Sequence, residues 1–265
     1  MKKYRGIKIV YTALILFFLY APIITLMVLS FNQSKSRSHW GGFTFEWYLS
    51  LFENTALMNA FKNTILIAVL SAFIATVFGT LACLGMNFMK RRSRAMIMGM
   101  TNIPMLNADI VTGISLMLLF IACRATMGGA TVLLAHITFN IPYVILSVMP
   151  RFRKINRSIY EAALDLGATP VYAFRKVVFP EILPGIISGF TMAVTMSLDD
   201  FIITHFTKGP GFDTLSTKIY SEIKKGIKPE IYALSTIMFT VVLLLLIIVN
   251  AKPWAARQKN GGIRT

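Results

Sequence analysis

A chain of 265 residues of which 55% are hydrophobic and only 14% charged, with a mean hydropathy of +0.65, is too apolar to cover a water-facing surface; an ordinary soluble domain is excluded. The formal net charge of +16 points to nucleic acid in a soluble protein and to loop placement in a membrane protein, so its position along the chain decides its meaning. Cys83 and Cys123 fall inside or at the end of apolar runs and offer neither a disulfide framework nor metal-ligand spacing.

A membrane helix needs ~20 predominantly apolar residues. The first such run, residues 7–31, is longer than a signal-peptide core and lacks a small-residue cleavage site, which predicts a retained helix. The loop that follows, residues 32–60, bunches Trp40, Phe43, Phe45, Trp47 and Tyr48. Such rings form interfacial belts, or one of them lines the mouth of a path and attracts a cation; Trp47 is the candidate for the second role. The second span, residues 61–89, carries Gly79, Ala82 and Gly85, small residues that let helices approach closely.

The third span, residues 95–123, is interrupted at Asn102-Ile103-Pro104 and carries Asn107 and Asp109. Proline removes a backbone donor, and polar, broken backbone at membrane depth is tolerated where protein or a water-filled cavity satisfies it. The fourth span, residues 130–149, contains His136, Asn140 and Pro142; His136 reads as a hydrogen-bonded core residue rather than a metal ligand. Residues 150–184 form the longest polar segment between spans, and the fifth and sixth spans cover residues 185–206 and 231–250. Neither a solenoid repeat nor a low-complexity segment is present.

The cations assign a side. Lys2, Lys3, Arg5 and Lys8 precede the first span, and Lys90, Arg91, Arg92 and Arg94 follow the second. Arg151, Arg153, Lys154, Arg157, Arg175 and Lys176 follow the fourth, and Lys252, Arg257, Lys259 and Arg264 follow the sixth. In a chain that zigzags through six spans all of these lie on one side, and the positive-inside rule makes that side the cytoplasm, with both termini there. Lys218, Lys224, Lys225 and Lys228 in the fifth loop run against the asymmetry, but they are interleaved with Asp213, Glu222 and Glu230. Cations distributed this way describe loops rather than a nucleic-acid surface.

Within the 150–184 segment, residues 155–166 suit a short helix, Gly167 is placed to end it, and Thr169-Pro170 to cap and begin another. Ile159, Ala162, Ala163 and Leu166 share one face, an apolar stripe that calls for a partner or a membrane surface. Glu161-Ala162-Ala163, then three residues to Gly167-Ala168, then Phe174 and Phe179-Pro180, resembles the EAA loop of binding-protein-dependent ABC importer permeases. The segments Phe43-Thr44, Trp47-Tyr48, Asp109-Ile110-Val111, His136-Ile137-Thr138-Phe139, Leu164-Asp165-Leu166-Gly167-Ala168 and Ser197-Leu198-Asp199-Asp200 extend the resemblance to the spermidine/putrescine branch over essentially the full length.

That resemblance implies an all-α membrane protein with six transmembrane helices in the type I ABC importer (MetI-like) permease fold, a single permease domain over residues 1–265. It implies a multi-pass protein of the bacterial inner membrane, surrounded by lipid. In this family the loop supplies a cytoplasmic coupling helix that sits in a cleft of the ATPase, which assigns coupling to Glu161, Ala162, Ala163, Asp165, Gly167 and Ala168. The implied partners are a homologous second permease, two copies of a cytoplasmic ATPase and an extracytoplasmic polyamine-binding protein. No phosphate loop of the form GxxxxGK[ST] occurs, so no cofactor is expected on this chain, with ATP and Mg bound by the ATPase.

Asp109, Asp199 and Asp200 lie inside predicted spans. An Asp at a helix centre costs ~2.5 to 3.5 kcal/mol on insertion scales, so such residues face a bundle interior or a water-filled path. Asp109 is 14 residues past Ala95 and Asp199 is 14 past Gly185, which at ~1.5 Å per residue puts both about 20 Å from the cytoplasmic side. No Lys or Arg lies in either span, so the counter-charge is expected to be the substrate, a cation such as a polyamine. Adjacent helical residues diverge by about 100°, so one of Asp199 and Asp200 can face the path while the other faces a neighbouring helix or the second subunit; both are candidate path residues, the alternative being that one hydrogen-bonds a helix end or stays protonated. Ser197 and Thr195 add hydroxyls nearby. A proton-coupled secondary transporter would use the same acids but is opposed by the EAA loop and the lack of an inverted repeat. A membrane enzyme would need a nucleophile with a base or clustered ligands, and His39, His136 and His205 are scattered.

Overall fold

A computed structural model describes residues 3–35, 38–226 and 228–260. Lys2 and Arg264, counted among the flanking cations, lie outside them. Twelve helices are found among the described residues, and the one β contact is an isolated antiparallel bridge between Asn32 and Phe43. The chain forms two compact units, Met1–Met58 with Ile219–Leu245, and Asn59–Lys218 with Leu246–Thr265.

The first unit begins with α1 (Lys3–Leu29), whose apolar side chains from Ile9 to Tyr20 are exposed, Phe17 and Phe18 included. A water-soluble protein could not carry such a helix; hydrocarbon solvates it. At its end Phe31, Phe43, Phe45 and Tyr48 stack into one aromatic cluster with ring centroids 5.0–6.1 Å apart. Helix α2 (Glu46–Glu53) follows. Trp47 is buried, and its indole N–H donates to the Asn32 carbonyl at 2.7 Å. Asn54 caps the turn after α2 and donates to Glu230 Oε2 at 3.0 Å.

The second unit takes α3 (Thr55–Asn87) from Asn59 onward, with α4 (Arg91–Leu106), α5 (Asp109–Ala122) and α6 (Gly129–Phe152). After the short α7 (Arg157–Asp165) come α8 (Pro170–Ala173), a π-turn at Phe174–Val178 and α9 (Phe179–Asp199), which together make one apolar helix of 30 residues. The chain closes with α10 (Ile202–Thr207), α11 (Leu215–Lys225) and α12 (Pro229–Asn260). Helix α6 packs along α9, and α10 packs against α5 and α6. Gly185 and Gly189, spaced four apart, make the first contact possible: a Cβ on Gly185 would lie 3.1 Å from the Ser147 carbonyl, and one on Gly189 3.3 Å from Val144 Cα. Of the small residues expected to pack in the second span, Gly79 faces Val144 while Gly85 has nothing within 4 Å.

The sequence predicts six spans. Among the described residues, four helices are long and apolar enough: Lys8–Leu29, Thr55–Asn87, Gly129–Phe152 and Pro170–Asp199. The predicted third span is instead two helices, α4 and α5, bent by 102°. The bend is not at Asn102-Ile103-Pro104, which remain helical, but at Asn107 and Ala108, both extended (ψ 147° and 137°). A proline disturbs the turn before it, and here α4 runs two residues past Pro104 before ending. Helix α12 contributes a shorter apolar stretch, Pro229–Leu244. The predicted fifth span, residues 185–206, is likewise corrected: α9 stops at Asp199, Asp200 is extended (φ −64°, ψ 125°), and α10 begins at Ile202.

The turn after α10 is fixed by two contacts. Thr131 Oγ1 donates to the Thr207 carbonyl at 2.7 Å, and Gly209 lies so close to Met127 that a Cβ would sit 1.9 Å from the Met127 carbonyl oxygen. Backbone cannot yield as a side chain can, so Gly209→Ala is expected to destabilise by ~1–3 kcal/mol, read as a lower melting temperature of the purified protein; an unchanged melting curve would show the two loops to be free to part. Further along, burial pushes the Asp213 carboxyl up, but the Lys208 ammonium bonded to it, with Thr217 and Lys218 nearby, holds it below the usual carboxylate range. A depressed carboxyl contributes stability that is present above about pH 4 and lost as pH falls through its folded value. Asp213→Asn is therefore expected to narrow the difference in melting temperature between pH 7 and pH 3, modestly because the pair is partly exposed.

Candidate functional site

The two breaks face one cavity. Its volume is about 340 Å³, and its wall is made by Pro104 and Met105 from the end of α4, Asp109 and Thr112 from the start of α5, and Phe139 and Tyr143 from α6. The rest comes from Met196 and Asp199 at the end of α9, Asp200 and Phe201 in the break, and Ile202 and Ile203 at the start of α10. The dimensions suit a small ligand.

Broken helices give this cavity its electrostatics. The carbonyl ends of α4 and α9 carry partial negative charge and the amide ends of α5 and α10 partial positive charge. Asp109 sits in the first turn of α5 and Asp200 just before α10, where a carboxylate offsets the positive end. Asp199 lies at the end of α9, where it adds to the negative end. The sum is a negative cavity with an aromatic and methionine wall: it can hold an ammonium on a carboxylate and a methylene stem on Phe139, Tyr143, Met105 or Met196.

The three acids are not equivalent. Asp109 and Asp199 are exposed, whereas only 9% of the Asp200 side chain is accessible. Asp200 accepts from the amides of Ile203 (3.2 Å) and Thr204 (2.8 Å) and from the Thr204 hydroxyl (2.7 Å), the helix-end role left open for one of the pair. It also lies 3.3 Å from His136 Nε2. The divergence of Asp199 and Asp200 comes from the break and not from 100° of helical turn.

His136 is the buried core residue expected, fully enclosed and bonded at both nitrogens: Nδ1 to Ser197 Oγ at 2.5 Å, and Nε2 to Thr204 Oγ1 at 2.9 Å. Ser197 is also within 3.3 Å of Ser71 Oγ, which accepts from Asn140 at 3.4 Å. Ser197 thus belongs to this buried network and does not line the cavity. Thr195 donates to the Thr191 carbonyl of its own helix. Trp47 lies in the first unit, where it is buried and its indole donates to backbone.

Phe139 and Tyr143 escaped the sequence reading as cavity residues. The signal was there: His136, Phe139, Asn140 and Tyr143 fall at i, i+3, i+4 and i+7. A polar and aromatic stripe on an otherwise aliphatic span marks a helix with a special side.

The predicted coupling residues form a separate surface. Asn156 caps α7 through the Ser158 amide (3.1 Å). At the other end Gly167, at φ +85°, closes a Schellman turn: its N–H donates to the Leu164 carbonyl and the Ala168 N–H to the Ala163 carbonyl. Thr169 caps the next helix by accepting from the Tyr172 amide (3.4 Å), with Pro170 in its first turn. Ile159, Leu166, Val171 and Tyr172 are exposed, Leu166 to 89%, and Ala163, Leu166, Gly167, Ala168, Thr169 and Tyr172 line a shallow concavity. Glu161 instead borders a groove of about 530 Å³ with Lys90, Phe88 and Tyr160. Ala162 and Asp165 are exposed.

Residues 75–251 match the family model described as "Binding-protein-dependent transport system inner membrane component". The chain is 37% identical over 245 residues to the spermidine/putrescine transport system permease protein PotC of Escherichia coli (strain K12), with 92% of each chain covered. It is 40% identical over 232 residues to the putrescine transport system permease protein PotI of the same strain, covering 85% of this chain and 83% of that one. Among solved structures, a bacterial ABC transporter involved in the import of the acidic polysaccharide alginate superposes with a TM-score of 0.71 at 20% identity, covering 97% and 98% of the two chains. At that identity the likeness is one of fold alone.

Proposed function

The chain belongs to the family of binding-protein-dependent transport system inner membrane components, and from that premise we propose that it forms one half of a transmembrane path for polyamines. It is a multi-pass membrane protein and a permease subunit of an importer, not an enzyme. The observation that carries the substrate is the cavity: Asp109 and Asp199 are exposed within it beside Phe139, Tyr143, Met105 and Met196. A di- or triamine presents ammonium groups joined by methylene stems, and this wall offers both carboxylates and rings. The relatives named for spermidine and putrescine support the same class.

In this reading the chain crosses the membrane six times, with the bent α4–α5 pair and α12 supplying the remaining two spans. Both termini and the α7–α8 turn are cytoplasmic, as the Lys and Arg distribution indicates. The exposed stripe from Ile159 to Tyr172 is the coupling surface. A homologous second permease completes the path in the lipid bilayer, and an extracytoplasmic binding protein delivers the cation. Two copies of an ATPase bind ATP and Mg and pull the α7–α8 turns together, rocking the spans so that the acids alternate between the two sides.

The direct test is co-purification of the chain with candidate ATPase subunits, followed by ATP hydrolysis with and without polyamine-loaded binding protein. Stoichiometric capture and stimulated hydrolysis are expected. Stable purification without any ATPase, together with uptake driven by a proton gradient, would favour secondary transport instead.

A further inference from the structure

His136 spans the break between α9 and α10. One ring nitrogen meets Ser197, in the last turn of α9, at 2.5 Å; the other meets Thr204, in the first turn of α10, at 2.9 Å. All three side chains are buried. With one proton on the ring, the hydrogen bonds have one consistent direction. Thr204 Oγ1 gives its proton to Asp200 Oδ2, so Thr204 accepts from the Nε2–H of His136, which leaves Nδ1 to accept the Ser197 hydroxyl proton. Each of these bonds then has a donor and an acceptor, and Asp200 is held inward as the cap of α10.

We propose that His136 is a positioning residue for transport: it splints the α9–α10 break so that the Asp200 carboxylate, although it borders the cavity, stays committed to the α10 amides and the Thr204 hydroxyl, and Asp199, the exposed one of the pair, is the one that meets the cation. The number of cation-facing carboxylates is thereby fixed at two, Asp109 and Asp199. This rests on the reading of the cavity as a cation path. Released from His136, Asp200 lies already in the cavity wall and becomes a third carboxylate. The splint therefore sets how strongly the site distinguishes a diamine from a triamine.

The test uses the whole permease–ATPase complex without binding protein, so that selectivity is read at the membrane site. Equilibrium binding of labelled putrescine and spermidine is measured for the wild type, His136→Leu, and the partial replacements His136→Asn and His136→Gln. His136→Leu is expected to shift the ratio of the two dissociation constants toward spermidine by about fivefold, and adding Asp200→Asn is expected to restore the wild-type ratio. Each partial replacement can keep one of the two bonds and is expected to shift the ratio less, which provides the answer if the leucine variant does not fold. Hydrogen exchange of the Ile203 and Thr204 amides, both bonded to Asp200, is expected to accelerate about tenfold in His136→Leu. Unchanged exchange, or an unchanged ratio with faster exchange, overturns the proposal. Asp109→Asn reports separately on the path: unchanged binding of both amines in that variant overturns the cation-path reading, and the exchange measurement still decides the splint.

Discussion

Asp199→Asn is expected to lower polyamine uptake by more than about tenfold while the subunits still assemble and reach the membrane. The substitution keeps the shape of the side chain and removes its charge at the end of α9, where the helix terminus is itself negative and cannot replace it. An ammonium leaving water for this cavity then meets one carboxylate instead of two. Asp200→Asn is expected to act differently, because Asp200 holds two amides and a hydroxyl of α10; its loss loosens the wall and does not remove an ammonium ligand. Wild-type uptake by a well-assembled Asp199→Asn complex would take Asp199 out of the path.

Gly167→Val is expected to leave folding of the transmembrane helices intact and to reduce substrate-stimulated ATP hydrolysis by about tenfold. A Cβ at Gly167 meets nothing within 4 Å, so crowding is not the mechanism. The mechanism is conformational: at φ +85° a β-branched residue is strained, by more than the ~1–2 kcal/mol that left-handed backbone costs an ordinary residue, and a strained turn re-aims α8 against α7. Gly167→Asn is the control, since Asn visits this region readily, and it is expected to retain most of the stimulation. Equal hydrolysis by all three forms would separate this turn from coupling.

The sequence made these two sites legible to different degrees. The α7–α8 turn could be read in full because its determinants are local: Gly167 at C′, Thr169 as cap and Pro170 after it are each decided within a turn of chain. That Asp109 and Asp199 face something polar was also readable, because an acid in an apolar run must do so. The stated reason for their common level was wrong in detail. Equal rise along two straight helices does not bring them together, since α4–α5 bends by 102° and α9 ends at Asp199; what brings them together is that both breaks open on one cavity.

What could not be read depended on partners distant in sequence. Trp47 reads as a candidate pathway ring from sequence, and only the structure shows that it is buried with its indole N–H held by the Asn32 carbonyl 15 residues away. The roles of Ser197 and Asp200 depend on His136, 61 and 64 positions earlier, and no local pattern announces that meeting. Helix boundaries failed where extended residues replaced helical ones, at Asn107, Ala108 and Asp200. None of these is Gly or Pro, so the punctuation that marks most breaks was missing.

The central claim, that this chain is half of an ATP-driven polyamine path, is tested most directly by transport in proteoliposomes holding the complete complex, binding protein outside and ATP inside. Labelled spermidine is expected to accumulate against its gradient only with hydrolysable ATP, and to fail to do so when Asp109 and Asp199 are both Asn. Accumulation that follows a proton gradient without ATP, or that persists in the double variant, would contradict the account.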